Sequence, residues 1–470
     1  MTAKKRAKGK RDDNNSYNFS HQMGHILYMA QLTGNLDKKN LVESMPKPER
    51  DRYKQAFEIL VKKEVLLKAQ KRNKKPIFSI NPERAEEIKP LISGFVRGTR
   101  REQHRRQIPS NPFFHRGPIK DIGHFMGRYD VISHIFDRLR HTEDCSIIGP
   151  RAIGKTSLLH FISHNEVVKK YHLDPKKYIF VYYDLQRFGE NTQTKDFYYE
   201  MFSKTVSQIN FNGPLKEEEI KKITKETDNV NKKIGRSLFE ISDLETLIGL
   251  LSERDYKVVY LFDEFESIAN NPNFDFSFYG QLRALSGNPT FQVAFVTASK
   301  KSIYTLTFDE EIKTSPFFRY FEDFKLGPMD SEEIGEFFDL AIENGAVFSN
   351  KIRTLIEEWS GGHPFLAQLC CDYFFDLVVT GEKIKPSEEE KHLEIFLSRH
   401  KKHFAYFWSQ VNKKQQTCLW WLASGKRPGS DYEGILEELE QSYLVEKKDG
   451  NYRIFSQAFE KFIRDIPFFG

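Results

Sequence analysis

The sequence predicts an α/β protein: a parallel sheet of five strands with helices on both faces, a helical segment after it, and a small domain of helices plus a hairpin at each end. Three observations carry this reading. A short apolar strand, Cys145-Ser-Ile-Ile148, runs through a glycine-bearing turn into an apolar helix that starts near Lys155. A second apolar run, Val258 to Phe262, stops at Asp263-Glu264. Between 121 and 330, strand-like and helical stretches alternate, the order that gives a parallel sheet covered on both faces.

The turn holds Gly149, Pro150, Arg151, Ala152, Ile153, Gly154, Lys155, Thr156 and Ser157. Its fixed positions fit G-x-x-x-x-G-K-[ST], a phosphate-binding loop. Glycines let successive backbone N–H groups point into the turn. Lys155 is a compact cation within reach of β- and γ-phosphates, and the Thr156 hydroxyl is suited to Mg²⁺. The helix that follows turns its positive end toward the anion. These residues make ATP or ADP the expected ligand, with Mg²⁺.

Five consecutive apolar residues before Asp263 suit a central strand buried on both faces. A carboxylate at the carboxyl end of such a strand stands where open α/β sheets bind ligands. Asp263 is therefore assigned to Mg²⁺, and Glu264 to orienting an attacking water. The fourth strand, 291–297, leads into Ala298-Ser299 and is expected between the two motif-bearing strands. Ser299, with Thr297 as second choice, is the candidate γ-phosphate sensor. With Lys155, Asp263 and Glu264 it completes the candidate catalytic set.

Composition narrows the rest. The chain has 470 residues and a net charge of +6. Residues 1–120 hold 28 Lys and Arg against 12 Asp and Glu, a net of +16, so the remainder carries −10. Basic character at one end points to a polyanion-facing module. No run approaches the roughly 18 apolar residues of a membrane span. The N-terminus lacks the apolar stretch of a secretory signal. Four cysteines without a C-x-x-C pair read as reduced core residues, which favours a cytoplasmic location.

In chain order, residues 1–17 are a basic, disordered tail, either an arm on nucleic acid or a solubilising end. Residues 18–92 read as three helices and a hairpin, the plan of a winged helix. Its hairpin tip carries Lys68, Lys71, Arg72, Lys74 and Lys75, five cations in eight residues. Two readings stand for it: phosphate contact with double-stranded DNA, involving residues 1–106, or a solvated hairpin on a protein-interaction domain. Residues 93–120 are a basic linker. Residues 121–330 form the nucleotide-binding domain, with a charged, exposed insertion over 216–233. Residues 331–403 are a helical lid, broken at Ser360-Gly-Gly-His-Pro-Phe365. Residues 404–470 are a second winged helix, close to charge-balanced.

Taken together, residues 125–468 resemble the STAND-type P-loop ATPases, a branch of the AAA+ group, in their archaeal and bacterial AAA-like form. Met126-Gly-Arg128 resembles the family's Gly-Arg motif. Residues 149–159 resemble its Walker A, and Asp263-Glu264-Phe265-Glu266 its Walker B. Ser315-Pro-Phe-Phe318 and Leu326-Gly-Pro328 resemble the approach to its lid, and Gly362-His-Pro364 its Gly-x-Pro motif. The resemblance implies that Arg128 and Pro364 lie near the nucleotide. It also implies that ATP and ADP hold different conformations, with assembly into a nucleotide-dependent homo-oligomer as one output. Lys300 and Lys301 stand where many members carry an Arg, and lysine lacks its bidentate fork. The resulting expectation is a slow, regulated ATPase that switches DNA binding. The alternative is a signalling or defence ATPase whose N-terminal domain recruits a protein.

Overall fold

The computed structural model describes residues 20–33, 36–45, 47, 49–72, 75–84, 109–212, 239–269, 271–306, 316–382 and 384–467. The tail 1–17, the basic run 97–106, the insertion 216–233, Lys74 and Ser315 lie outside the described residues. The chain divides into two compact units, one of Met1–Ser110 with Glu343–Gly345 and the other of Asn111–Ile342 with Ala346–Gly470.

The N-terminal unit orders its elements as helix Ser20–Thr33, strand β1 (Leu36–Asp37), helices Lys38–Ser44 and Arg50–Lys62, then strands β2 (Leu66–Arg72) and β3 (Lys75–Ile80). The second helix starts because Asp37 accepts hydrogen bonds from the N–H groups of Lys39 and Asn40, satisfying donors that have no intrahelical partner. The third helix buries Tyr53, Ala56, Phe57 and Leu60, an apolar stripe at helical spacing, against Ile26 and Leu27 of the first. The three strands form an antiparallel sheet in the order β1-β3-β2. Here the hairpin differs from expectation. Strand pairing runs on through the basic stretch, with Lys68 opposite Phe78 and Arg72 opposite Lys75. Lys68, Arg72 and Lys75 thus hold ladder positions, and Lys71 falls in the register shift between Ala69 and Arg72. The physical reason is that backbone pairing is indifferent to side-chain charge. The two-residue β1, absent from the sequence reading, is too short to leave an alternating pattern.

The second unit is built on a five-stranded parallel sheet: β4 (Cys145–Ile148), β5 (Tyr178–Asp184), β6 (Lys257–Asp263), β7 (Val293–Ser299) and β8 (Glu322–Lys325). Their spatial order is β5-β6-β7-β4-β8, all neighbours parallel. This is the α/β P-loop ATPase fold. Strand β7 lies between the phosphate-loop strand β4 and the acidic strand β6, as expected. Residues Val258 to Asp263 and all of β7 are buried, which explains their uninterrupted apolar runs. One face packs on Phe197, Phe202 and Leu247; the other packs on Ile135, Phe136, Leu158 and Leu159.

Four helices follow the sheet: Ser331–Glu343, Asn350–Ser360, Pro364–Thr380 and Glu389–Ser409. Then come helices Lys413–Ala423 and Glu433–Gln441, the hairpin β9 (Val445–Lys448) and β10 (Asn451–Ile454), and helix Gln457–Arg464. Two boundaries differ from the sequence reading. Helix Glu389–Ser409 crosses residue 403, and Trp359, Phe396, Phe404, Cys418, Leu439 and Phe459 share one core. The helical segment and the C-terminal module are therefore one packed body. Residues 111–120, expected as linker, are also built in. Phe113 is buried among Phe337, Phe348 and Phe375. Asn111 donates to the Asp372 carbonyl and to the carboxylates of Asp372 and Asp376. Proline and charge disguised an anchor as a tether.

Candidate nucleotide site

The turn after β4 closes on its own lysine. Lys155 Nζ donates to the carbonyl oxygens of Gly149 at 2.7 Å and Pro150 at 3.0 Å. Burial holds the Lys155 ammonium below its usual range, against the opposing pull of Glu264, Glu266 and Asp263. The two fixed glycines are needed for different reasons. A Cβ on Gly149 would stand 2.5 Å from the Leu326 carbonyl oxygen of the strand-end beside it. Gly154 has open space but a φ of +104°, which side-chain-bearing residues rarely adopt. Ala152 also turns left-handed, at φ 59°. Ile153 is buried in the sheet core and pins the middle of the turn. Ser157 Oγ accepts from the Ile119 N–H at 3.0 Å, tying the preceding segment to the start of helix Lys155–Ile162.

At the adjacent strand end, Thr156 Oγ1 donates to Asp263 Oδ2 at 2.6 Å, and the Tyr182 hydroxyl donates to the same oxygen at 2.9 Å. Asp263 Oδ1 accepts from the Glu264 N–H at 3.0 Å. Burial raises the Asp263 pKa, while Thr156 and Tyr182 oppose the rise. Glu264 turns left-handed at φ 54° and is half-buried, an unusual backbone for a non-glycine residue. Glu266 lies 3.7 Å from Lys300, and burial raises its carboxyl pKa.

Strand β7 brings Ser299 beside the loop, where its carbonyl accepts from the Gly149 N–H at 3.1 Å. The Ser299 hydroxyl donates to the Lys301 carbonyl at 2.6 Å and so closes its own turn. Thr297 pairs with Ser146 and Phe262 on its two sides, and its hydroxyl has no hydrogen-bond partner among the described residues.

The Gly127-Arg128 pair is gripped by acids of helix Ser331–Glu343. Gly127 N–H donates to Glu336 at 3.0 Å, and Arg128 N–H donates to Glu333 at 2.5 Å. The Arg128 guanidinium is buried, 3.8 Å from Glu333 and 3.5 Å from the Pro328 carbonyl. Arg151 donates to the Tyr406 hydroxyl and lies over that ring, so the loop touches helix Glu389–Ser409. Pro364 opens helix Pro364–Thr380 at its first turn, where a missing N–H costs nothing. Gly362 carbonyl accepts from Met329 N–H at 2.7 Å, which ties the break in the lid to the strand-to-lid connection.

The structure thus gathers Lys155, Thr156, Asp263 and Glu264 at the ends of β4 and β6, with Arg151 joining the loop to the lid. Sequence reasoning missed Tyr182 and Tyr406. Tyr182 pairs opposite Leu261 across strands, and no spacing in the chain signals that. Tyr406 sits on a helix whose face could not be aimed without the fold.

A model of the family described as Novel STAND NTPase 2 matches residues 245–426, a stretch that includes Asp263, Glu264 and Gly362-His363-Pro364 but not the phosphate loop. Among curated proteins, none matches the chain. Three solved structures show what the chain is similar to. The Walker-type ATPase PABY2304 of Pyrococcus abyssi is 14% identical, over 75% of this chain and 99% of its own, with a TM-score of 0.49. The Aeropyrum pernix ORC2 protein, in its ADPNP-ADP complexes, is 13% identical over 75% and 96%, with a TM-score of 0.47. The Drosophila ORC bound to DNA is 11% identical over 88% and 100%, with a TM-score of 0.38. With each TM-score below 0.5, the fold assignment rests on the chain's own sheet order and loop. Sheet order, loop, acidic strand end and partial family match together support a P-loop NTPase.

Proposed function

We propose that this chain is an ATP-driven conformational switch with slow, Mg²⁺-dependent hydrolysis, and that its basic N-terminal domain is a winged helix that binds double-stranded DNA. One observation carries the nucleotide half: the loop that wraps Lys155 stands beside a Thr156–Asp263 pair at 2.6 Å. A backbone cradle with a cation inside it fits a polyphosphate. A hydroxyl and a carboxylate side by side fit Mg²⁺, which takes few protein ligands and shares the nucleotide's phosphates.

Bound at Thr156 and Asp263, Mg²⁺ would neutralise charge on the β- and γ-phosphates. The residues of the chain do the rest. Lys155 leaves the carbonyls of Gly149 and Pro150 to pair with phosphate oxygens, and the loop N–H groups hold the chain of phosphates in place. Glu264 orients water and draws its proton. Arg128 and Pro364 are placed at the nucleotide by resemblance alone. Ser299 serves as sensor only after its hydroxyl leaves the Lys301 carbonyl.

The DNA half rests on the +16 charge of residues 1–120 and on the basic stretch around 68–75. A cytoplasmic location and a nucleotide-dependent homo-oligomer belong to the same reading. ATP turnover of the full chain, with and without duplex DNA at about 50 and 200 mM salt, tests it. Stimulation that disappears at the higher salt is the expected result. Turnover indifferent to DNA at both salts overturns the DNA half and favours an acidic protein as the partner of the N-terminal domain.

A further inference from the structure

His363, between Gly362 and Pro364, occupies the capping position of helix Pro364–Thr380, yet its side chain caps nothing. It is 5% exposed. Neither ring nitrogen has a hydrogen-bond partner among the described residues. A neutral imidazole carries one donor and one acceptor, and buried polar atoms are ordinarily paired. Burial pushes the His363 pKa down to about 3, and the charge of Arg128 works in the same direction, so the ring stays neutral at ordinary pH.

The neighbours of this ring are informative. The Arg151 backbone, in the middle of the phosphate loop, faces this ring and works against the fall of its pKa. The Phe407 ring meets it edge-on at 5.1 Å, and the Phe455 ring lies at 6.0 Å. Phe407 belongs to helix Glu389–Ser409, and Phe455 follows β10. One ring therefore touches the phosphate loop on one side and the lid and C-terminal module on the other. As core filler it is a poor choice, since phenylalanine would satisfy the aromatic neighbours without burying two unpaired nitrogens.

We propose that His363 is a direct nucleotide contact, pairing a ring nitrogen with the ribose–diphosphate portion that ADP and ATP share. It thereby couples occupancy of the phosphate loop to the packing of Phe407 and Phe455. This rests on the ATP-binding reading above. The portion is fixed by the neighbour: Arg151 belongs to the segment that wraps phosphates.

The test uses the full chain and fluorescent ADP and ATP analogues. His363→Phe keeps the aromatic packing and removes both nitrogens. It is expected to bind both nucleotides at least about tenfold more weakly, the scale of one lost buried hydrogen bond. The melting temperature without nucleotide should be unchanged or higher, which a packing role would not produce. His363→Asn, which restores a donor and an acceptor, should recover part of the affinity. In the wild type, the ¹⁵N signals of the His363 ring, assigned by their loss in His363→Phe, should move on addition of ADP. Equal affinity in wild type and His363→Phe, with a stationary ring signal, overturns the proposal; so does a loss confined to ATP. A wild-type chain that binds neither nucleotide overturns the ATP-binding reading itself, and this inference with it.

Discussion

On the sheet side of the site, Lys155, Thr156 and Asp263 hold protein partners at 2.6 to 3.0 Å, whereas on the lid side the two nitrogens of His363 and Nη2 of Arg128 have none among the described residues. The two sides bury polar atoms to a similar degree and differ in whether the protein satisfies them. Buried polar atoms that the protein satisfies define a preorganised site. Buried polar atoms it leaves unmet cost free energy that a ligand can recover. The sheet side is therefore satisfied without nucleotide apart from hydroxyls such as that of Thr297, and a phosphate has to draw Lys155 off the carbonyls of Gly149 and Pro150, whereas on the lid side it meets polar atoms that no described residue holds.

Breaking the sheet side gives the largest effect. Lys155→Ala removes the cation proposed to pair with the phosphates, so nucleotide affinity should fall at least about a hundredfold by calorimetric titration. The fold should survive, because a buried ammonium has gone with it. Glu264→Gln separates binding from chemistry in the same experiment: affinity stays and turnover is lost. Retained turnover in that variant removes Glu264 from its role.

Tyr182→Phe sharpens the comparison at intermediate size. Asp263 keeps Thr156 but loses its second donor, and the Mg²⁺ concentration for half-maximal turnover should rise about tenfold, as for other partners that orient a metal ligand. Without that donor the Asp263 pKa rises further, so the acid limb of the pH–rate profile should move to higher pH. A profile that stays in place would show that Tyr182 only fills space.

How much of this was legible beforehand follows from the same contrast. Gly149, Gly154, Lys155, Asp263 and Glu264 occupy contiguous stretches whose residue types are dictated by local backbone chemistry, so the phosphate loop, the acidic strand and the place of the fourth strand between them could be read directly. Tyr182, Tyr406 and the pairing of Arg128 with Glu333 join segments about 80 to 255 residues apart along the chain. Long-range packing decides them, and no local pattern records it. The linker reading of 111–120 failed for a related reason: prolines and charges describe a chain's stiffness and solubility, while the buried Phe113 that anchors the segment is a single residue.

The smallest effect on nucleotide should come from Asp144, buried at the foot of β4, where its carboxylate accepts from the Phe295 N–H and the Ser286 hydroxyl, each at 2.8 Å. Burial pushes its pKa up to about 7 from a starting value of 3.8. The folded state thus holds the proton more tightly than the unfolded one. Its contribution to stability is full below the unfolded value and is lost as pH rises through the folded one. Asp144→Asn keeps both contacts without the titration. Its melting temperature should exceed the wild type at about pH 8 and converge with it near pH 4, with nucleotide affinity unchanged. A constant gap across that range would mean the carboxyl does not titrate in the folded protein.

The core that Trp359 and Phe396 share with Phe404, Cys418 and Phe459 has a mechanical meaning. A fragment ending at 403 would strip Phe404, Phe407 and Phe459 from the shared core and present an adhesive apolar face. The end of the family match at 426 falls inside the same body and marks no seam in it. Whatever displaces His363 or Arg151 acts on a single lever running from 331 to 467. Phe455, the residue after the hairpin Val445–Ile454, lies 6.0 Å from the His363 ring, so a shift of that ring reaches the hairpin in one step.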